Sequence, residues 1–346
     1  MGIKGLPQFL KQYHSDLFKP ITENSVLRSR IAIDTGVFMH RFTVNMNCPD
    51  EYISRFLQFA QMLQSMEADF VFVFDGKPCL AKGQTLRCRR EKRAKTLVAL
   101  QQKIKDLETE EQKTFDRLVA MANSANDAAS GALLGKLQHL RRKRLVLTSR
   151  TIPINRGFFY RLQEIFSREN IPYLESDGEA EKACAWLAGA GIVDLVVTED
   201  YDALVCGAPN VLRYWHHHDH YSFPSVISLG SLLSRLNLNY SQFVTVCVLA
   251  GSDFAQSPPF VGFRRALSFV SKTNVSGEDG VAGVFEENYR GFYETTESAD
   301  KAKRAFEVAQ DIFSNDRFPF IRNLLGLFFA LVVAALLNLL ILGVNK

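Results

Sequence analysis

The sequence predicts an α/β fold: a parallel sheet with helices on both faces. Three observations lead there. Arg30-Ile-Ala-Ile-Asp34, Phe70-Val-Phe-Val-Phe74 and Asp194-Leu-Val-Val-Thr198 contain short, continuous apolar runs with no polar alternation, the pattern of strands buried on both faces. Helical stretches separate them at 50–66, 155–169 and 179–187, so strands and helices interleave as parallel sheets require. The chain has 346 residues, 47% apolar and 23% charged, enough to bury a sizeable core and too apolar for wholesale disorder.

Taken in order, residues 6–13 read as a short helix, 30–34 as a buried strand ending in an acid, and 50–66 as an amphipathic helix. The strand at 70–74 is again followed by an acid, Asp75. Residues 84–144 have the composition of helices rich in Lys, Arg, Gln and Leu, and the small residues Asn123 to Gly131 read as a mobile tip or turn between them. Helices at 155–169 and 179–187 lead to the third strand, which Glu199 and Asp200 follow. A last apolar helix, 229–250, runs up to Gly251-Ser-Asp253, and no repeat period stands out.

The net charge of +4 hides an asymmetry. Residues 82–105 carry nine basic side chains against one acid, and 136–150 carry six against none. These stretches hold +14, leaving −10 for the rest of the chain. That distribution excludes a generic small-molecule enzyme and is the footprint of a phosphate-backbone binder. Six cysteines with no C-x-x-C pair and no apolar leader fit a reducing compartment. Residues 324–344 are 21 residues with no charge and one polar side chain, Asn338. As a helix they span about 31 Å, the thickness of a bilayer core. The expectation is a single-pass tail anchor with the preceding domain cytosolic, in a host-cell membrane were the chain viral. The small residues Gly326, Ala330 and Ala334 suggest weak helix dimerisation there.

Three strand-like runs each lead into an aspartate: Asp34, Asp75 and Asp200. In an open parallel sheet the ligand site lies beyond the carboxyl ends of the strands, so these acids converge. Asp202 adds a fourth, Glu179 and Glu181 open a helix, and Asp253 ends one. Any one alone reads as a cap or turn residue. Seven at one sheet edge repel each other unless cations are present. Ligands that are all oxygen suit Mg²⁺, with Mn²⁺ as a substitute, rather than zinc. Two such ions beside a basic arm make a metal-dependent nuclease.

Met1-Gly-Ile-Lys-Gly-Leu6, Ile31-Ala-Ile-Asp34, Val73-Phe-Asp-Gly-Lys-Pro78, Glu179-Ala-Glu181, Thr198-Glu-Asp-Tyr-Asp202 and Gly251-Ser-Asp253 resemble, in order, the blocks of the XPG-type structure-specific nucleases, closest to the flap endonuclease branch. The resemblance covers residues 1–272. It implies that Asp34, Asp75, Glu179, Glu181, Asp200, Asp202 and Asp253 hold two Mg²⁺ ions. Lys82 and Arg89 then fall near the scissile phosphate, and their spacing of seven puts them two turns apart on one helical face. Candidate nucleic-acid contacts are Gly2, Lys4, Arg90, Arg93, Arg141, Arg142, Arg144, Arg264 and Arg265. The implied organisation is an N-terminal nuclease region at 1–82, a basic helical arch at 83–150, an internal nuclease region at 151–272, a helical part at 273–322 and the anchor at 324–344.

The chain departs from the family after Asp253. A helix–two-turn–helix with a Gly-x-Gly hairpin and a bound K⁺ is replaced by Pro258-Pro-Phe-Val-Gly-Phe-Arg-Arg265, which keeps only Gly262. No sliding-clamp peptide is evident, since Gln310 to Phe318 lacks the adjacent aromatic pair. His216-His-His-Asp-His220 is too crowded for an obvious tetrahedral zinc site and reads as a polar loop. The expected function is cleavage of branched or flap DNA. RNA cleavage by the same fold, or an inactive nucleic-acid tether at a membrane, are the alternatives.

Overall fold

The computed structural model describes residues 2–21, 26, 28–43, 46, 50–77, 79–121, 127–213, 224–272, 280–293, 295–314 and 321–322. Residues 324–344 and the histidine cluster at 216–220 lie outside them. Among the described residues no helix is long and apolar enough to cross a membrane.

The chain divides into two units: 1–37, 61–85 and 166–346 form the first, 38–60 and 86–165 the second. The sheet belongs to the first. Its strands are β1 (Lys19–Pro20), β2 (Arg30–Asp34), β3 (Asp69–Phe74), β4 (Tyr173–Ser176), β5 (Leu195–Val197), β6 (Asn210–Arg213), β7 (Ser225–Ser228) and β8 (Ile321–Arg322), in the spatial order β1-β7-β6-β5-β2-β3-β4-β8. The five central strands are parallel, and antiparallel pairs flank them on both sides. Ala32 pairs with Val71 on one side and Val196 on the other. From β2 the chain moves to β3 on one side and later returns to place β5 on the other. β2 is therefore the switch point, where the loops leaving neighbouring strands part and leave a crevice at their carboxyl ends.

Burial explains the strand composition. Ile31, Ala32 and Ile33 are wholly inaccessible, as are Phe72, Val73 and Val196. Each such large side chain contributes about 1.5–3 kcal/mol by leaving water. In the first unit, Phe72 and Phe74 meet Phe166 with ring centroids 4.8 Å and 6.0 Å apart.

Helix α1 (Leu6–Tyr13) is followed by α2 (Thr35–Phe42) and α3 (Glu51–Ser65), and then by α4 (Gly83–Met121), α5 (Asp127–Thr151) and α6 (Arg156–Arg168). α4 and α5 make up most of the second unit. Ion pairs cross-link them, Lys136 to Glu110 and Arg144 to Glu111, both 2.8 Å. Leu107, Leu137 and Leu140 are buried, while Val98, Phe115, Val119, Leu134 and Leu145 stay exposed among the charged side chains. Elsewhere in that unit Phe42 and Phe56 pack edge to face at 4.8 Å. Of the stretch expected to be a mobile tip, Asp127 to Gly131 are already helix, because Asp, Ala and Ser are all accommodated in a first helical turn; 123–126 lie outside the described residues.

The first unit continues with α7 (Ala180–Gly189), α8 (Asp202–Val205), α9 (Leu229–Leu236), α10 (Tyr240–Ala250), α11 (Phe263–Lys272), α12 (Gly280–Asn288) and α13 (Thr296–Ser314). The single helix expected at 229–250 is two. Asn237 adopts a left-handed conformation (φ 52°, ψ 48°) that ends α9, and Asn239 starts α10 with a capping box shared with Gln242. The C-terminal part expected to be helical also contributes a strand, β8, at the edge of the sheet.

Candidate metal centre

The seven acids of the sequence blocks meet at the carboxyl edge of the parallel strands, all within the first unit. Asp34 closes β2. One of its oxygens, Oδ1, accepts the Gly36 amide at 3.0 Å, and the other, Oδ2, accepts the Thr198 hydroxyl at 2.9 Å. Thr198 is a residue that reading the sequence missed. It bridges two strands' ends, because its Oγ1 also accepts the Asp200 amide at 3.1 Å. Its signal was present: a hydroxyl residue ending a strand directly before an acidic pair.

Asp75 follows β3, and its Oδ1 accepts the Ala180 amide at the start of α7, 2.7 Å away. The helix dipole favours an anion there. Gly76 makes the close approach possible: a Cβ at this position would lie 1.9 Å from the Ser176 carbonyl oxygen. Glu179 and Glu181 open α7, and Asp202 opens α8. At the amino end of the chain, Gly2 has a φ of 84°, and a Cβ there would lie 2.1 Å from Asp200 Oδ1 and 2.3 Å from Asp202 Oδ1. The backbone at Gly2 therefore packs directly against two of the acids.

Lys82 enters this cluster. Its ammonium bonds Glu179 and sits 3.7 Å from Glu181 and 3.9 Å from Asp253, over the ring of Phe254 at 5.0 Å. Its side chain is only 7% exposed. Lys82 ends a 3-10 turn, Leu80–Lys82, one residue before α4 starts. That corrects the expectation of a shared α-helical face with Arg89: attraction to three carboxylates outweighs placement on a solvated basic helix.

The cluster is over-charged even so. Burial, and then the Asp75 charge, push Asp34 up to about 7, against the Thr198 hydrogen bond. Burial raises Glu181 well above the carboxylate range, with Asp34, Asp75 and Glu179 adding to it. Asp202, 1% exposed, is raised by burial, Asp200 and Asp253. Asp75, at the open edge, is raised by lost hydration and by Glu179, against the Ala180 amide and Lys82. Four carboxyl groups held against ionisation in one cleft call for cations.

The donor set fits divalent ions. Asp75, Glu179 and Glu181 each offer an oxygen within 4.8 Å of the others, and so do Glu181, Asp200 and Asp202. The two groups share Glu181. Both carboxylate oxygens of Asp202 are buried with no hydrogen-bond partner, and an unpaired buried carboxylate persists only where a cation neutralises it.

Profiles of known families match the blocks that build this cleft: the XPG N-terminal domain over residues 1–96 and the XPG I-region over 170–253. The chain belongs to the XPG family. The similarity to XPG-family proteins extends beyond the blocks. Flap endonuclease 1 of Ovis aries is 30% identical over 285 residues, 79% of this chain and 66% of the relative; the human protein of the same name is 29% identical over the same share. The chain thus spans about two thirds of the length of the curated relatives it matches. Among solved structures, the catalytic core of Rad2 in complex with DNA substrate superposes with a TM-score of 0.57 at 18% identity, covering 92% of this chain and 90% of that one. Likeness at that identity concerns the XPG fold itself.

The remaining candidates are placed as follows. Lys4 is exposed in the first unit, and its amide donates to the Gly251 carbonyl at 2.8 Å. Arg264 and Arg265 lie exposed at the start of α11. Arg264 bonds the Tyr13 hydroxyl at 3.1 Å, and Arg265 the Phe260 carbonyl at 2.7 Å. The segment joining α10 and α11 carries Phe260 with a φ of 60°, two residues before Gly262, where a Gly-x-Gly pair would have its first glycine. Arg89, Arg90, Arg93, Arg141, Arg142 and Arg144 belong to the second unit. All but Arg144 are exposed. Arg93 donates to the Ile152 carbonyl at 3.0 Å, and Arg144 is committed to Glu111.

Proposed function

We propose that this chain is a metal-dependent endonuclease that hydrolyses phosphodiesters of branched or 5′-flap DNA. The observation that carries the reading is the convergence of seven carboxylates, Asp34 and Asp202 among them buried, around one buried lysine at the switch point of a parallel sheet. The names of the relatives, flap endonuclease 1, support the substrate class, and the DNA in the Rad2 complex supports the polymer.

Asp75, Glu179 and Glu181 would hold one Mg²⁺ ion, and Glu181, Asp200 and Asp202 a second, with Mn²⁺ able to replace either. Bound ions supply Lewis-acid polarisation and a hydroxide nucleophile at neutral pH. The protein's own groups do the rest. Lys82, charged in this setting because Glu181 and Glu179 hold its ammonium protonated, turns from carboxylate to phosphate oxygen when ions occupy the acids, and there offsets developing charge. Arg89, exposed on α4 in the second unit, is proposed as a further phosphate contact. Arg141 and Arg142 attract the single-stranded backbone. Arg264 and Arg265, exposed on α11, would contact duplex phosphates.

The test is cleavage of a 5′-flap DNA, a nicked duplex and a single-stranded RNA by the purified chain, with Mg²⁺ or EDTA. Mg²⁺-dependent cutting of the flap is expected. Cleavage of RNA in preference to the flap would move the reading to a ribonuclease, and no cleavage of any substrate would overturn it.

The proposal extends to residues 324–344 as a membrane anchor that leaves the nuclease on the cytosolic side. The uncharged 21-residue run, preceded by Arg317 and Arg322, supports it. Carbonate-washed membranes should retain the full chain and release residues 1–322. Equal behaviour of the two would remove the anchor.

A further inference from the structure

We infer that Arg213 is a positioning residue that sets the Asp200 and Asp202 carboxylates for the ion they share with Glu181. The inference rests on the metal-dependent reading above and goes beyond it in assigning a function to a residue outside the acidic blocks.

Arg213 ends β6, the strand next to β5. Its side chain is 7% exposed. The guanidinium lies 3.8 Å from the centroid of the Tyr201 ring, and Nη2 donates to the Glu199 carbonyl at 2.6 Å and faces the Glu199 carboxylate at 3.4 Å. Glu199 precedes Asp200, and Tyr201 separates Asp200 from Asp202. One planar cation therefore grips the peptide on one side of Asp200 and the side chain on the other. Tyr201 is 1% exposed and caps the four-residue helix α8, so the stack also fixes where that helix starts, and with it Asp202.

The grip has a physical purpose. Asp200 and Asp202 are like charges two residues apart on a short turn. Without an ion their repulsion favours splaying them. A divalent ion with tight oxygen geometry binds well only if both carboxylates wait in place. The flat face and the fork of an arginine suit this task, and lysine, a point charge on a flexible stem, does not. The other group is held by different means: Asp75 by the Ala180 amide and Glu179 by Lys82. Loss of Arg213 should therefore loosen one ion and spare the other.

The test needs no substrate. Mn²⁺ is titrated into the detergent-solubilised full chain, and the free ion is followed by its electron paramagnetic resonance signal. The parent chain should bind two ions. Arg213→Met, Arg213→Lys and Tyr201→Leu should each keep one ion at parental affinity and bind the other about 10–100-fold more weakly. Tyr201→Phe, which keeps the ring face, should retain both. Two ions bound at parental affinity by Arg213→Met, or both weakened by the same factor, would overturn the role of Arg213. Should Arg213→Met fail to fold by circular dichroism, the comparison of Tyr201→Leu with Tyr201→Phe decides, and equal affinities overturn it. Failure of the parent chain to bind Mn²⁺ would instead remove the metal-dependent reading itself.

Discussion

The Asp75 carboxylate accepts the backbone amide of Ala180 at 2.7 Å, 105 residues along the chain. This single bond ties the end of β3 to the first turn of α7, and so brings Asp75 to Glu179 and Glu181. Asparagine at position 75 can still accept that amide but loses the negative charge. Asp75→Asn should leave the fold intact by near-ultraviolet circular dichroism while lowering flap cleavage by more than about 100-fold. Asp200→Asn should do the same. Unreduced cleavage by both variants would sink the two-ion mechanism.

Stability should depend on pH in the direction opposite to that of ordinary ion-paired carboxylates. Asp34 titrates near 7 in the fold, against 3.8 for an ordinary Asp. A raised carboxyl pKa means that the folded state prefers the protonated form. The ionisation penalty is absent below about 4, grows between 4 and 7 and is complete above 7. The metal-free protein should therefore melt at lower temperature at pH 8 than at pH 5.5. Added Mg²⁺ should raise the melting temperature by about 3 °C or more at pH 8 and by clearly less at pH 5.5. Equal shifts at the two values would contradict the placement of these acids around the ions.

Gly2→Ala places a methyl group where Asp200 Oδ1 and Asp202 Oδ1 already lie, on a backbone with φ of 84°. Either the first residues peel away or the two carboxylates move. Single-turnover cleavage at saturating enzyme should fall by about tenfold or more, with little change in affinity for flap DNA. An unchanged rate would show that the first residues are free to shift.

Thr198→Val removes the donor to Asp34 Oδ2 and the acceptor of the Asp200 amide without changing volume. The buried Asp34 oxygen and the partly buried Asp200 amide each lose a partner, at up to about 1–3 kcal/mol each. Chemical denaturation of the metal-free protein should register the loss, and Mg²⁺ should recover part of it by compensating Asp34.

Lys82→Ala and the double change Arg141→Ala with Arg142→Ala should separate chemistry from capture. The first should slow single-turnover cleavage at saturating enzyme more than it weakens binding. The double change should weaken binding and lower the slope of log affinity against log salt by about one for each phosphate no longer neutralised. Matching effects on the rate would remove the case for Lys82 in the chemical step.

Much of this was legible from the residues alone. The three buried strands announced themselves as apolar runs, and an acid after each of three strand runs in an open parallel sheet implies convergence at its carboxyl edge. These are local properties: alternation, its absence, and the residue that follows. The break at Asn237 was less visible, because a single residue in a left-handed conformation interrupts what reads as one helical pattern. Strand β8 was invisible, since two residues at a sheet edge carry no pattern of their own.

The sequence by itself determined the inventory of the site: seven acids, the order of the strands that carry them, and the basic stretches set apart from them. Only the tertiary structure decided how those groups balance. It put Lys82 among the carboxylates rather than on a solvated face, and Thr198 against Asp34. It also drew Gly2 onto Asp200 and Asp202, and stacked Arg213 beneath the turn that carries them. The reason is physical. Charge, hydropathy and spacing are written residue by residue, whereas desolvation and the identity of each buried group's partner depend on segments far apart in the chain.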